Sequence, residues 1–339
     1  MKLCKLCIER PADKTNTHYL TDGIIRSCLN VAGSNEREKA MAFDISLDQT
    51  SIEPRFQRNT SLEEIVKNFG REATEIEIEN AKTPFFAVDH VFCSECEKKF
   101  TAIESPFLQH ILPKLRGKDF TGKKEIDFNS DQVREFFLLQ VYRLAVCDPG
   151  FQLSADKLDK LRQYFNAPKE NVNMLKSIPL QVSYLNTLGG DEEYTTNAVG
   201  IATQGNNRSV IFNDFIIQIS ADDLEMYPIN LYGINAGTVL SDFTNVNEEI
   251  FRIRIIENTQ RKAFYAAYHK EKAEKFKNNY RHEFTRRYFG TYGLIPNPSV
   301  TETFVNAIIH EKDVEDESKY SKSHFEKTIA IYLNKYRPR

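Results

Sequence analysis

At 339 residues and 41% hydrophobic content, the chain is long enough for two domains, or for one domain with a large appendage, and it can bury a real core. A net charge of −3 argues against a protein that coats nucleic acid indiscriminately. The charge is uneven, however: residues 36–104 hold 15 Asp and Glu against 9 Lys and Arg, while residues 252–287 hold 11 Lys and Arg against 4 Asp and Glu, so the two segments could serve different partners.

Taken in chain order, a Cys-x-x-Cys knuckle at Cys4 and Cys7 is followed by a polar turn from Arg10 to Asn16. A short apolar helix or strand, Tyr19 to Leu29, then carries His18 at its entrance. Residues 31–60 have few periodic apolar positions and read as an extended loop. The run SLEEIVKNFG at 61–70 has the punctuation of a short helix, with Ser61 as N-cap, Glu64 as capping-box partner and Gly70 as stop. Pro84 to Phe92 reads as a buried strand feeding into Cys93, and a helix begins after Cys96. Helical spacing from Asp131 to Tyr164, with Ser130 as cap, is broken at Asp148-Pro149-Gly150 into two helices. Alternation in PLQVSYL, NAVGIATQ and SVIFNDFIIQIS predicts three antiparallel strands within 178–220, and EIFRIRII at 249–256 predicts a fourth. Glu257 to Phe289 reads as one long helix, and Ser299 to Tyr336 as two more, separated by the acidic stretch Glu311 to Ser318.

No stretch approaches the roughly 18 uninterrupted apolar residues of a membrane-spanning helix. The start, MKLCKLCIERPADK, lacks the apolar region of a secretory signal, so a cytoplasmic protein without membrane association is expected. In a reducing compartment two Cys-x-x-Cys pairs point to a metal site or a redox pair, and no βαβ context for a redox pair is present. Each pair sets two thiolates one tight turn apart, so Cys4, Cys7, Cys93 and Cys96 together can reach one tetrahedral zinc at about 2.3 Å. Cys28 and Cys147 have no nearby partners and read as small buried apolar residues.

The pattern Cys-x-x-Cys, then Thr17-His18, then Phe92-Cys93-x-x-Cys96-Glu97 resembles the zinc-stapled HNH/treble-clef group of bacterial proteins. The resemblance covers residues 1–104. It implies a treble-clef-like zinc module at 1–105 with a helical insertion at about 31–82; the elements read above make the remainder, 106–339, a mixed helical and antiparallel-sheet domain with a long basic helix at 257–289, and the whole an α+β protein. The resemblance also implies metal-dependent phosphodiester hydrolysis, with His18 as general base toward water and Glu97, Glu104 or Asp22 holding Mg²⁺ or Mn²⁺. A role in antiviral defence is implied in the same way. Thr17 stands where the family places a better metal ligand, and the proline that follows the family's His is absent. Asp89-His90, close to the second knuckle, reads as a pair that orients it.

The basic helix at 257–289 leaves two readings open. Lys272, Lys275, Arg281 and Arg286 interleave with aromatics, as in a DNA- or RNA-binding surface. Phe264, Tyr268, Phe276, Tyr280 and Phe284 also fall on one stripe, as in an amphipathic helix that packs its aromatic side and solvates its basic side. The function expected is therefore an HNH-like nuclease or nucleic-acid-processing protein, or alternatively a non-catalytic zinc-binding interaction subunit of a larger complex. A transferase housed in the 178–256 sheet has no nucleophile motif or phosphate-binding glycine loop to support it.

Overall fold

The computed structural model describes residues 2–28, 41–44, 53–56, 60–69, 72–82, 86–167, 173–189, 192–194, 196, 198–222, 226–227, 229–236, 240–310 and 322–338. A two-residue strand, Thr17–His18 (β1), precedes a helix at Asp22–Cys28 (α1). Met41–Asp44 (β2) and Glu53–Phe56 (β3) pair antiparallel, so the segment 31–60 is not the plain extended loop its weak periodicity suggests. Helices Leu62–Phe69 (α2) and Glu75–Ala81 (α3) follow. The carbonyl of Ser61 accepts from Ile65 N–H at the start of α2, whereas the Glu64 side chain and Gly70 lie outside the described residues. A reciprocal capping box starts α3: Thr74 N–H donates to Glu77, and Glu77 N–H donates to the Thr74 hydroxyl.

Ala87–Val88 (β4) is the short described strand before the second knuckle, and Ser94–Pro106 (α4) begins inside that knuckle rather than after it. A π-helical turn at Phe107–Ile111 leads to Leu112–Leu115 (α5), Glu125–Asn129 (β5), Ser130–Cys147 (α6) and Ala155–Asn166 (α7). Asn129 rather than Ser130 caps α6, its side chain accepting from Asp131 N–H at 3.1 Å. Strands Leu180–Leu185 (β6), Leu188–Gly189 (β7), Glu192–Glu193 (β8), Val199–Gln204 (β9), Asn207–Phe212 (β10), Phe215–Ser220 (β11) and Ile250–Ile256 (β12) come next. Three helices close the chain: Asn258–Tyr292 (α8), Pro298–Ile309 (α9) and Lys322–Lys335 (α10).

The run SVIFNDFIIQIS is a hairpin and not one strand. Phe212 pairs with Phe215, and Asn213 makes the turn with φ of 58°, a conformation its short polar side chain tolerates.

The chain divides into two compact units, Met1–Cys28 with Pro84–Ala266, and Leu29–Thr83 with Ala267–Arg339. In the first, six strands lie in the order β5-β12-β6-β11-β10-β9, and the sheet is mixed because β12 runs parallel to β6 while the other pairs are antiparallel. Its central helix, α6, is buried through Phe136, Phe137, Leu138, Leu139, Val141 and Tyr142, which leaves it no solvent face over that stretch. Phe107 stacks on Phe136 at 3.7 Å between ring centroids, and Phe137 meets Phe215 of β11 at 5.2 Å. The same hydrophobic cluster takes in all four knuckle cysteines, so the knuckles are continuous with the core of this unit. In the second unit, α8 packs Phe276, Tyr280, Phe284 and Tyr288 against Phe304 and Ile308 of α9 and Phe325 and Ile329 of α10, while Phe56, Ile65 and Ala81 make a smaller cluster. Among the described residues, no helix is long and apolar enough to cross a membrane.

Candidate metal centre and the groups around it

The first knuckle closes on backbone bonds: Ile8 N–H donates to Cys4 O and Cys4 N–H to Arg10 O. Lys5 N–H donates to Val91 O, which ties it to the approach to the second knuckle. Cys93 and Cys96 sit at the start of α4, where Glu97 N–H donates to Cys93 O. The four sulfurs lie within 4.8 Å of one another, and all four residues are buried. The Cys7 and Cys93 sulfurs are 4.0 Å apart, twice the length of a disulfide bond and close to the edge, roughly 3.8 Å, of a tetrahedron with ~2.3 Å metal–sulfur bonds. The donor set and its spacing fit a metal ion such as zinc. A hydrogen bond from Cys96, then backbone N–H groups of the knuckles, pull the Cys4 thiol down against the effect of burial, while the same contact and burial push the Cys96 thiol up. Arg10 lies beside Cys93, and this contact raises its guanidinium above the ordinary value, setting a cation next to sulfurs that would carry negative charge around a metal.

Asp89 and His90 fasten the two knuckles together. The Asp89 carboxylate accepts from Asn16 N–H at 2.6 Å, His90 N–H donates to Lys14 O, and the His90 ring meets Ala12 O at 3.1 Å. Asp13 accepts from the N–H and hydroxyl of Ser94, which caps the same junction from the other side.

His18 stands on β1, paired with Ala87 of β4, while its neighbour Thr17 points into the interior with a hydroxyl that has no partner. Asp22 at the start of α1 brings a carboxylate oxygen to 3.9 Å from His18 Nε2, and both side chains are about one-third exposed. The structure thus brings His18 and Asp22 together. Glu97 and Glu104 meet elsewhere, on the buried guanidinium of Arg143 from α6, at 3.8 and 2.7 Å. Glu104 also accepts from the Thr21 hydroxyl, and Thr21 N–H donates to Gln140 of α6. Burial pushes the Glu97 carboxyl upward while Arg143 pulls it down. Sequence reading missed Arg143; the cue available was an arginine among the apolar residues of α6, since a cation in that setting needs carboxylates brought from another element.

Of the four cations singled out on α8, three are paired with carboxylates within the second unit. Lys275 pairs with Glu271 at 2.6 Å, Arg286 with Glu283 at 2.6 Å, and Arg281 with Glu302 of α9 at 2.6 Å. Lys272 lies over the Tyr268 ring at 5.3 Å. Cys147 is half-buried, and burial raises its thiol to about 12, which keeps it protonated. The side chain of Cys28 lies outside the described residues. No family model, curated protein or solved structure matches this chain.

Proposed function

We propose that the four cysteines hold one structural zinc ion in a treble-clef-like staple, and that the chain is a non-catalytic zinc-binding subunit that docks a protein partner. The observation that carries this reading is the use made of Glu97 and Glu104. Glu104 is hydrogen-bonded to Arg143 and to Thr21, and Glu97 faces the same guanidinium at 3.8 Å, so both carboxylates that would hold a catalytic Mg²⁺ or Mn²⁺ already have an interior cation beside them. Among the described residues, the four thiols form the one cluster of three or more metal-ligating groups. The carboxylate partners of Lys275, Arg281 and Arg286 support the same reading, because phosphate binding is favoured by cations that are not already paired. Leu3 and Ile8, both more than half exposed, flank the first knuckle and give a partner an apolar foothold.

A second reading, HNH-like phosphodiester hydrolysis, is favoured by the His18–Asp22 pair: Asp22 would orient the imidazole, and His18 would take a proton from water. The defence role belongs with that reading. Incubating the full-length protein with plasmid, single-stranded DNA and RNA in Mg²⁺ and in Mn²⁺ separates the two. We expect no cleavage by wild type or by His18→Ala, with zinc content equal in both. Cleavage by wild type that falls roughly 10²–10⁴-fold in His18→Ala would establish the nuclease instead.

A further inference from the structure

The two edges of the six-stranded sheet differ in chemistry. β5, at one edge, carries Glu125 and Asp127, both exposed. Charges so placed keep a row of unpaired backbone groups from pairing with another chain. β9, at the other edge, reads VGIATQ and has neither charge nor proline. Its register with β10 runs unbroken from Val199 opposite Phe212 to Gln204 opposite Asn207, so no bulge turns this edge away. Asn213 N–H donates to Ala198 O just before β9 begins, which fixes the alternation: the backbone groups of Gly200, Ala202 and Gln204 face β10, and those of Val199, Ile201 and Thr203 face outward. Among the described residues, none bonds to these outward N–H and C=O groups. Val199 and Ile201 rest their side chains on the main core, while Thr203 and Gln204 are exposed, so the strand is held in place with its outer backbone bare.

We propose that β9 is a strand-addition site whose occupant is a second copy of this chain, paired antiparallel through its own β9 about a twofold axis at Ile201. Only residues with outward backbone groups can form the bonded pairs of such a ladder. The register centred on Ile201 uses all three: Ile201 stands opposite itself, and Val199 opposite Thr203 of the second copy. Any shift leaves one of the three without a partner inside the strand. Between the bonded pairs, Gly200 then faces Ala202 of the second copy. The three β-branched side chains share the core-facing side and meet β-branched side chains, small residues meet small ones on the other side, and no like charges are opposed. This self-complementarity is what favours a second copy over an unrelated strand. A twofold contact also uses up the edge, and the charged β5 edge discourages a second addition, so assembly stops at two chains.

The test uses the full-length protein in sedimentation equilibrium from micromolar to millimolar concentration, with hydrogen exchange read by mass spectrometry on peptides covering residues 199–204. A dimer that dissociates on dilution is expected, with exchange at 199–204 quickening as it does. Thr203→Pro removes an outward N–H that β10 does not use and sets a ring at the contact. Proline is tolerated at such edge positions, so this variant is expected to associate roughly tenfold more weakly, or less still, with a thermal transition close to that of wild type. If it does not fold, Thr203→Lys, which charges this edge as β5 is charged, carries the same comparison. A chain that stays monomeric over the whole range, a dimer whose affinity survives the substitution, or a dimer in which 199–204 exchanges as fast as in the monomer would each overturn the proposal.

Discussion

Ile8, directly after the first knuckle, has φ of 60°, a left-handed conformation in which a β-branched side chain crowds its own backbone at a cost of about 1–2 kcal/mol. The bond from Ile8 N–H to Cys4 O holds the residue there, because the knuckle must turn back on itself to aim both sulfurs inward. Glycine carries no such penalty, so Ile8→Gly should stabilise the first unit by about 1 kcal/mol, a rise of about 2–4 °C in its transition. Differential scanning calorimetry checks this; a fall would mean that the isoleucine side chain contributes packing that outweighs its backbone cost. His90, with φ of 57°, occupies a similar conformation in the approach to the second knuckle, where its backbone N–H reaches Lys14 O. Both strained residues sit where the chain closes around the four sulfurs.

Among elements, the contact of α4 with α6 turns on one interior guanidinium. Arg143 holds Glu97 and Glu104 a turn or two apart on α4, and Glu104 passes the connection on to Thr21 just before α1. Removing the cation would leave two partly buried carboxylates uncompensated, so Arg143→Met should cost about 3–5 kcal/mol in denaturant unfolding. Adding Glu97→Gln and Glu104→Gln to that variant should restore much of the loss; a triple variant as unstable as Arg143→Met alone would show that packing, not charge, dominates. On α8, hydrogen bonds from Arg286 and then Arg287 pull Glu283 down from 4.5 to about 2. A carboxyl with a lowered folded value stabilises above its unfolded value and loses that contribution as pH falls through the folded one. The wild type should therefore lose stability between about pH 4.5 and pH 2 relative to Glu283→Gln, which thermal melts of both proteins across that window will read. The long helix α8 was legible because its aromatics recur at helical spacing over many turns, and the α6–α7 break because Asp148-Pro149-Gly150 stops any helix. The edge strand β5 escaped notice since EIDFN has only two apolar residues to mark its alternation. Asn213-Asp214, a two-residue turn signal, was hidden inside an otherwise apolar run.

For the whole molecule, the four-cysteine cluster joins two stretches of chain separated by the long segment that belongs to the second unit. Its composition and spacing could be read directly, because Cys-x-x-Cys geometry is local and needs no tertiary information. The fate of Glu97 and Glu104 could not be read, because it depends on an arginine some forty positions away that only the fold brings near. The His18–Asp22 pair lies between these cases: a spacing of four suggests proximity if the segment is helical, yet the two residues meet across a strand end and a helix start. A zinc ion held by thiolates contributes its binding energy to folding, so the staple is expected to decide whether residues 1–28 and the second knuckle are ordered together. The most direct measurement is elemental analysis with zinc-edge X-ray absorption on protein purified without chelator, for wild type and for Cys96→Ser. We expect one zinc per chain surrounded by four sulfurs at about 2.3 Å in the wild type, and loss of that ion in the variant together with unfolding of the module. Protein that is free of zinc with all four thiols reduced, or a zinc whose first shell holds nitrogen or oxygen in place of these sulfurs, would contradict the assignment.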